Sequence, residues 1–190
     1  MRIISGRFKN KKLYFPENLK TRPLKDSVRE NIFNIIYHSN KVDIDIRKSY
    51  VLDLYAGCGS FGLECISREA SKVIFVENDN EAIKNLKKNI KSLNSENKTA
   101  LYAQDVSKIL NSLNLETEKD KINIIFLDPP YKNTEYLKTI EIMKKKSILN
   151  KKHIFIIHRE KNSEKNIKNY LDIIEKRVYG RSEIFFGKLI

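Results

Sequence analysis

The sequence predicts an α/β fold built on a mostly parallel sheet, and three observations carry that prediction. Short apolar runs alternate with amphipathic helical stretches through the central part of the chain, the pattern of successive βαβ units with helices on both faces of a sheet. The first run, residues 51–55, feeds a Gly57-x-Gly59-x-x-Gly62 turn and then the start of a helix, the context in which a glycine loop signals a binding site. Asp53, Glu77, Gln104, Asp105 and Asp128 all fall at the ends of predicted strands, where ligands bind in such sheets.

The chain opens with a small predicted β-hairpin, residues 1–15. Arg2-Ile3-Ile4 is a short strand, Ser5-Gly6 the turn, and residues 8–15 a second strand interrupted by Asn10. Its polar positions are nearly all basic, namely Arg2, Arg7, Lys9, Lys11 and Lys12. A basic ribbon outside a core suits phosphate contact; a solvated hairpin is the plain alternative. Thr21-Arg22-Pro23-Leu24-Lys25-Asp26 reads as a linker, because Pro23 holds Arg22 extended and no helix begins before it.

Ser27-Val28-Arg29-Glu30 has the capping-box pattern. Val28, Ile32, Ile35 and Ile36 recur at helical spacing, so a helix runs to about His38. Arg29 lies in its first turn, where the helix end is itself positive, and that placement points to an anionic partner such as a phosphate or carboxylate. Residues 40–49 form a charged connector.

In the core, strands are predicted at residues 51–55, 73–77, 99–103, 122–127 and 154–157. The fourth is apolar on both faces except Asn123, as buried parallel strands are. Helices are predicted at 61–68, 106–115, 136–149 and, briefly, 163–168. Another, capped by Asn78 or Asp79, presents Ile83, Leu86, Ile90 and Leu93 on one face. Its Lys84, Lys87, Lys88 and Lys91 suit the helix's C-terminal dipole better than an RNA contact. Residues 173–179 and 183–189 flank Gly180-Arg181 as a closing antiparallel hairpin. No repeat or second domain shows. The expectation is one domain over 1–190, with hairpin and helix in 1–40 and the core in 50–190.

At 190 residues and 41% apolar content the chain has enough material for a full core. Its net charge of +13 suggests a polyanionic partner, most simply a nucleic acid. A bias toward Lys, Asn and Ile would also raise lysine without a functional cause, so clustered arginines weigh more than the total. No apolar run would span a membrane and no signal-peptide pattern is present, so a soluble cytoplasmic protein is expected. Cys58 and Cys65 are too few for a disulfide framework and lack metal-site spacing; both are expected to fill small buried volumes. His38, His153 and His158 form no ligand pattern, and no metal is expected. His158 follows a strand-like run and could face the site, but packing or surface is its simpler reading.

Gly57 and Gly59 let a backbone approach a ligand closely and lead it to the free N–H groups of a helix start. Dinucleotide and S-adenosylmethionine sites both use such a turn. Asp53, just before the loop, would repel a pyrophosphate but attract the ammonium group of S-adenosylmethionine. Glu77 closes the next apolar run, at the distance where an acid holds ribose hydroxyls. A structural turn with two solvated acids is the alternative.

Asp128-Pro129-Pro130-Tyr131 follows the fourth strand directly. The prolines fix the backbone and remove two N–H donors. What remains is an acceptor pair, the Asp128 carboxylate and the Pro129 carbonyl, beside the flat face of Tyr131. That set suits a planar base with an exocyclic amine, stacked on Tyr131 with its N–H groups on the two oxygens. Such bonds restrain the nitrogen lone pair from delocalising and place it for methyl transfer by positioning and electrostatics. Alone, the tetrapeptide would equally serve as a rigid turn.

Asp128 to Tyr131 resembles motif IV of amino-group methyltransferases, and Asp53 to Gly59 their motif I. With Met1-Arg2-Ile3-Ile4-Ser5-Gly6, Thr21-Arg22-Pro23, Arg29-Glu30, Phe33-Asn34, Gly62-Leu63-Glu64, Ser67-Arg68, Val76-Glu77, Phe126-Leu127 and Tyr179-Gly180, nearly the whole chain resembles the RsmD family. The resemblance implies a Rossmann-like methyltransferase fold. It implies transfer of methyl from S-adenosylmethionine to a guanine N2 amine of small-subunit (16S) rRNA, either naked or in an assembling subunit; a monomer is the default expectation. By position it implies Asp53, Ala56, Gly57 and Gly59 at the methionine part of the cofactor, Glu77 at its ribose, and Gln104 and Asp105 at its adenine. Thr21, Arg22, Pro23 and Arg29 resemble an N-terminal motif on the cofactor side, and Asp128, Pro129, Pro130 and Tyr131 would hold the guanine. Leu24, Cys58 and Glu69 depart from the family's usual threonine, serine and glycine, without removing a proposed catalytic group. Two other readings stay open: an N6-adenine methyltransferase acting on DNA or RNA, and a non-catalytic RNA-binding protein. A nicotinamide dehydrogenase is disfavoured by Asp53 and by the lack of an evident hydride-transfer acid.

Overall fold

The computed structural model describes residues 1–15, 24–115 and 117–190. Thr21, Arg22 and Pro23, expected at the cofactor side, lie outside the described residues. A seven-stranded sheet runs in the order β3-β2-β1-β4-β5-β7-β6. β1 (Tyr50–Leu54), β2 (Lys72–Glu77), β3 (Thr99–Ala103), β4 (Ile122–Leu127) and β5 (Leu149–Glu160) pair in parallel. β6 (Leu171–Tyr179) and β7 (Ser182–Leu189) form the closing antiparallel hairpin, and β7 also pairs antiparallel with β5. The order reverses direction at β1, whose neighbours are β2 and β4, and that reversal opens a crevice beyond the strand ends.

The side-chain alternation of each strand divides the core between two faces. Val51, Ile124 and Phe126 face a core shared with α1 (Asp26–His38), α2 (Ser60–Ser67) and α3 (Asn80–Ser92). Leu52, Leu54, Ile125 and Leu127 face a second core with α4 (Val106–Ser112), α5 (Tyr136–Lys145) and α6 (Glu164–Ile167). On the first face Phe33 stacks on Phe61 at 5.3 Å and Phe61 on Phe126 at 4.1 Å. That column ties α1 and α2 to the strand that delivers Asp128.

Most elements lie where the periodicity predicts them, and the differences have physical causes. The N-terminal hairpin is narrower than expected: Arg2 and Lys12 form a single antiparallel bridge, and residues 5–10 make a bend and a turn. The N–H groups of Ile4 and Ser5 are spent on the Glu64 carboxylate at 2.8 and 2.9 Å rather than on a second strand. The capping box does not form. α1 starts two residues earlier, at Asp26 with Lys25 as N-cap, and Asp26 pairs with Arg29 at 3.0 Å and with Arg2 at 3.8 Å. α5 stops at Lys145 and β5 starts at Leu149, because Leu149 registers against Ile122 in the sheet. α4 is shorter too, and Lys146 donates to the carbonyls of Asn111 in its last turn and of Leu113 at its C-cap, a basic group at a helix C-terminus. No helix among the described residues is long and apolar enough to cross a membrane.

Candidate active site

The site is assembled at the carboxyl ends of β1, β2 and β4. After Leu54 the chain passes through three left-handed residues, Tyr55 (φ 60°), Gly57 (φ 56°) and Gly59 (φ 83°). A tyrosine in that region costs about 1–3 kcal/mol, a strain characteristic of ligand-binding loops. The three glycines have different jobs. A Cβ at Gly59 would meet Leu86 Cδ1 at 2.4 Å, and one at Gly62 would meet Phe75 Cε1 at 2.3 Å, so both set how closely α2 lies on β2 and α3. A Cβ at Gly57 would have nothing within 4 Å. Its backbone is the open part of the cradle.

Two acids brace this loop from below and from the side. Asp53 is 1% exposed, and its Oδ2 accepts the Gly62 N–H at 2.9 Å. The Glu77 carboxylate accepts the Gly57 N–H at 2.7 Å through one oxygen, and the N–H groups of Asn78 and Asp79 at 2.8 and 2.9 Å through the other. β2 thereby grips the loop that follows β1. Burial pushes the Asp53 carboxyl well above the usual carboxylate range; the Gly62 bond opposes this, and the charges of Asp128 and Glu77 add to it. Asp128 and Glu77 thus act on the buried Asp53 carboxyl, and in a chain of net charge +13 this acidic crevice suits a cation.

Ala56 is buried in the loop, and its N–H donates to Val76 at 3.1 Å. Asp105 caps α4, accepting from the Ser107 hydroxyl and N–H at 2.5 and 2.8 Å. The Ser107 hydroxyl holds its carboxyl below the usual range, against a smaller opposing effect of burial. Gln104 is exposed beside it.

Asp128 is half-buried, and its Oδ1 lies 2.8 Å from His158 Nδ1. The Tyr131 ring meets the His158 ring edge-on, with centroids 6.1 Å apart. The Pro129 carbonyl, expected to face a substrate amine, is turned instead to Arg159 Nη1 at 3.0 Å. Arg159 also takes the carbonyls of Pro130, Tyr131 and Asn133 at 3.0, 2.6 and 3.2 Å. A loop stripped of N–H donors by two prolines has carbonyls to satisfy, and a buried guanidinium supplies them. Asp128 is left as the part-exposed acceptor.

Arg29 has its anionic partner, but the partner is internal. It is fully buried, ion-paired with Asp26 at 3.0 Å and 3.8 Å from Glu64, and donates to the Arg2 carbonyl. Burial lowers its pKa, and Glu64 and then Asp26 oppose that. The expected cofactor-side contact is therefore not what holds this guanidinium. It anchors the N-terminal ribbon, together with Ser67, whose hydroxyl accepts from Phe8 N–H at 2.9 Å and donates to the Ser5 carbonyl at 2.5 Å. Arg2, Arg7, Lys9, Lys11 and Lys12 all stand exposed on that ribbon. Asn89, buried on α3, holds both main-chain groups of Tyr14, at 2.7 and 3.0 Å, and the Cys58 carbonyl at 3.0 Å. It links the ribbon to the glycine loop. Burial pushes the Cys58 thiol up to about 12 and the Cys65 thiol well above its usual range, as befits cysteines that fill space.

Sequence reasoning raised His158 but preferred a packing or surface role for it, and missed Arg159 and Asn89. The placement of His158 at a strand end was the available signal, while a lone arginine or asparagine carries none. Among the described residues no group of three or more His, Cys, Asp or Glu is placed to hold a metal ion.

The family model described as conserved hypothetical protein 95 matches residues 1–188. The ribosomal RNA small subunit methyltransferase D of Buchnera aphidicola (subsp. Acyrthosiphon pisum) is 29% identical over 185 residues, 96% of this chain and 90% of that protein. The protein of the same name from Escherichia coli K12 is 31% identical over 144 residues, 75% of this chain and 66% of its own length. The solved structure of yhhF from Escherichia coli superposes with a TM-score of 0.80 at 26% identity, covering 100% of this chain and 97% of that one. SMU.776, solved in complex with SAH, shares the fold at a TM-score of 0.64 and 14% identity, over 85% of this chain and 49% of its own.

Proposed function

The chain belongs to the conserved hypothetical protein 95 family, the RsmD family its motifs resemble, and from that premise we propose that it transfers a methyl group from S-adenosylmethionine to the exocyclic N2 amine of a guanine in small-subunit rRNA. The observation that carries the reading is the convergence of Asp53, Glu77 and Asp128 around an open glycine cradle in a strongly basic chain. A negative crevice suits a cofactor bearing a sulfonium and an ammonium group, and it disfavours a pyrophosphate. SAH bound in SMU.776, and relatives named as rRNA methyltransferases, point the same way.

Asp53, Ala56, Gly57 and Gly59 would hold the methionine part, Glu77 the ribose, and Gln104 and Asp105 the adenine. S-adenosylmethionine supplies an electrophilic methyl group. The chain's own work is positioning: Asp128 accepts an N–H of the amine, which keeps the nitrogen lone pair out of the ring, and Tyr131 offers the stacking face. Pro129 and Pro130 contribute stiffness, with their carbonyls committed to Arg159. The exposed Arg2, Arg7, Lys9, Lys11 and Lys12 follow rRNA phosphates, on naked rRNA or an assembling subunit. The protein acts as a one-domain cytoplasmic monomer.

The test is nucleoside mass spectrometry of rRNA incubated with the protein and labelled S-adenosylmethionine. Label in N2-methylguanosine is the expected result. Label in N6-methyladenosine would move the enzyme to another substrate class, and no label with tight RNA binding would make it a non-catalytic binder.

A further inference from the structure

His158 and Arg159 are consecutive at the end of β5 and hold the 128–133 loop in two different ways. His158 lies 2.8 Å from the Asp128 carboxylate and edge-on to Tyr131. Arg159, 4% exposed and 4.5 Å over the Tyr136 ring, takes four main-chain carbonyls of the loop. One residue fixes the acid side chain and the next fixes the backbone that carries it. Both are themselves fixed by β7, where His158 registers with Ile184 and Arg159 with Glu183.

We infer that His158 is the positioning residue of the methyl transfer: its Nδ1–H donates to Asp128 Oδ1 and locks the carboxylate rotor, leaving Oδ2 for the substrate amine. The inference rests on the reading of Asp128 as the amine acceptor. The chemistry favours this tautomer, since a carboxylate can only accept and a neutral imidazole has one N–H to give. A carboxylate on a half-buried loop turns about its last torsion, which is broad and two-fold. The lone pair it must direct is sensitive to such turning, because misplacing a reacting group by about 1 Å costs ~10²-fold in rate. Packing alone would need a ring at position 158. Positioning needs a donor there.

The experiment measures single-turnover methyl transfer from labelled S-adenosylmethionine to small-subunit particles from cells lacking this enzyme, with SAH affinity measured by calorimetry. The proteins are wild type, His158→Phe, His158→Asn, Asp128→Ala and His158→Phe/Asp128→Ala. His158→Phe keeps the ring and loses the donor, so it should slow transfer by ~10–10²-fold with SAH affinity within about twofold of wild type. His158→Asn returns an N–H donor on the same side of the residue and should recover most of the rate. In the Asp128→Ala background His158→Phe should cost nothing further, since the two act as one unit. A His158→Phe enzyme as fast as wild type overturns the inference. So does a loss that multiplies fully onto Asp128→Ala, or one that falls on SAH affinity. Any of these three results with an active wild type leaves the methyltransferase reading standing, whereas a wild type that labels no RNA removes both.

Discussion

Gly62 donates its N–H to the buried Asp53 carboxylate at 2.9 Å, so the acid below the loop is tied to the helix the loop begins. Its other surroundings are unfavourable to charge: burial first, then Asp128 and Glu77. A carboxyl whose folded pKa is raised contributes stability below its unfolded pKa of about 3.9, and that contribution is lost as pH rises through the folded value. Above its unfolded pKa the Asp53 carboxyl therefore weakens the cofactor-free protein. Asp53→Asn keeps an acceptor for Gly62 and removes the charge. It should raise stability at pH 7, by about 1.4 kcal/mol for every tenfold difference in proton affinity between the folded and unfolded chain. Urea unfolding from pH 4 to pH 8 should show the advantage growing with pH. S-adenosylmethionine binding should move the opposite way and weaken, and equal or lower stability of Asp53→Asn across that range would refute the charge argument.

Gly62 is inside α2, where alanine would ordinarily stabilise by about 0.5–1 kcal/mol. Here its Cβ would lie 2.3 Å from Phe75 and 2.7 Å from Val73. Overpacking of this kind costs typically about 1–3 kcal/mol, so Gly62→Ala should lower the unfolding midpoint. A higher midpoint would mean that α2 has slack against β2.

Much of this fold is legible in the sequence because strands β1 to β4 are mostly apolar runs whose ends coincide with charged or turn-forming residues. β3 and β4 match their predicted limits. β5 is the exception. Apolarity marks only 154–157, yet pairing with β7 extends the strand to Glu160, and the extension places His158 and Arg159 at the site. Side-chain partners are less legible still. Arg29 at a helix N-terminus asked for an anion; Asp26, three residues earlier, is one partner, but nothing local says that Glu64 on another helix is the second. Likewise the Pro129 carbonyl looked free, since its donor lies 30 residues away.

Glu64 is the hub of that hidden network. It is fully buried, accepts Ile4 and Ser5 N–H groups, and pairs with Arg68 at 3.0 Å and with Arg29. Removing one partner of a buried ion pair strands the other and costs about 3–5 kcal/mol. Glu64→Leu should reach that range and loosen the ribbon, seen as faster hydrogen exchange at Ile4 and Ser5. A double variant Glu64→Leu/Arg29→Met should be more stable than Glu64→Leu alone. If the double variant is instead the weaker, the pair is not the anchor.

The basic ribbon should supply RNA affinity without chemistry. Neutralising Arg7, Lys9, Lys11 and Lys12, all exposed, should reduce the slope of log affinity against log salt by close to one for every phosphate the ribbon no longer engages. Transfer measured at saturating RNA should hold its rate. An unchanged slope would make the ribbon merely solvated.

Asp128 and Tyr131 can be separated by the order of their variants. Asp128→Ala should keep cofactor binding and lose ~10²-fold in rate, about 3 kcal/mol, as for other lost charge-stabilising acceptors. Asp128→Asn keeps one acceptor oxygen, which can serve His158 or the substrate but not both, and loses the charge, so it should fall between alanine and wild type. Tyr131→Phe keeps the ring that stacks and that meets His158 edge-on, and should be mild. Tyr131→Ala removes it and should lose roughly 1–3 kcal/mol of base stacking. Equal damage from Tyr131→Phe and Tyr131→Ala would assign the work to the hydroxyl and end the stacking account. Wild-type turnover in Asp128→Ala would reduce the loop to a rigid turn, held by Arg159 for the sake of the fold and with no part in the transfer.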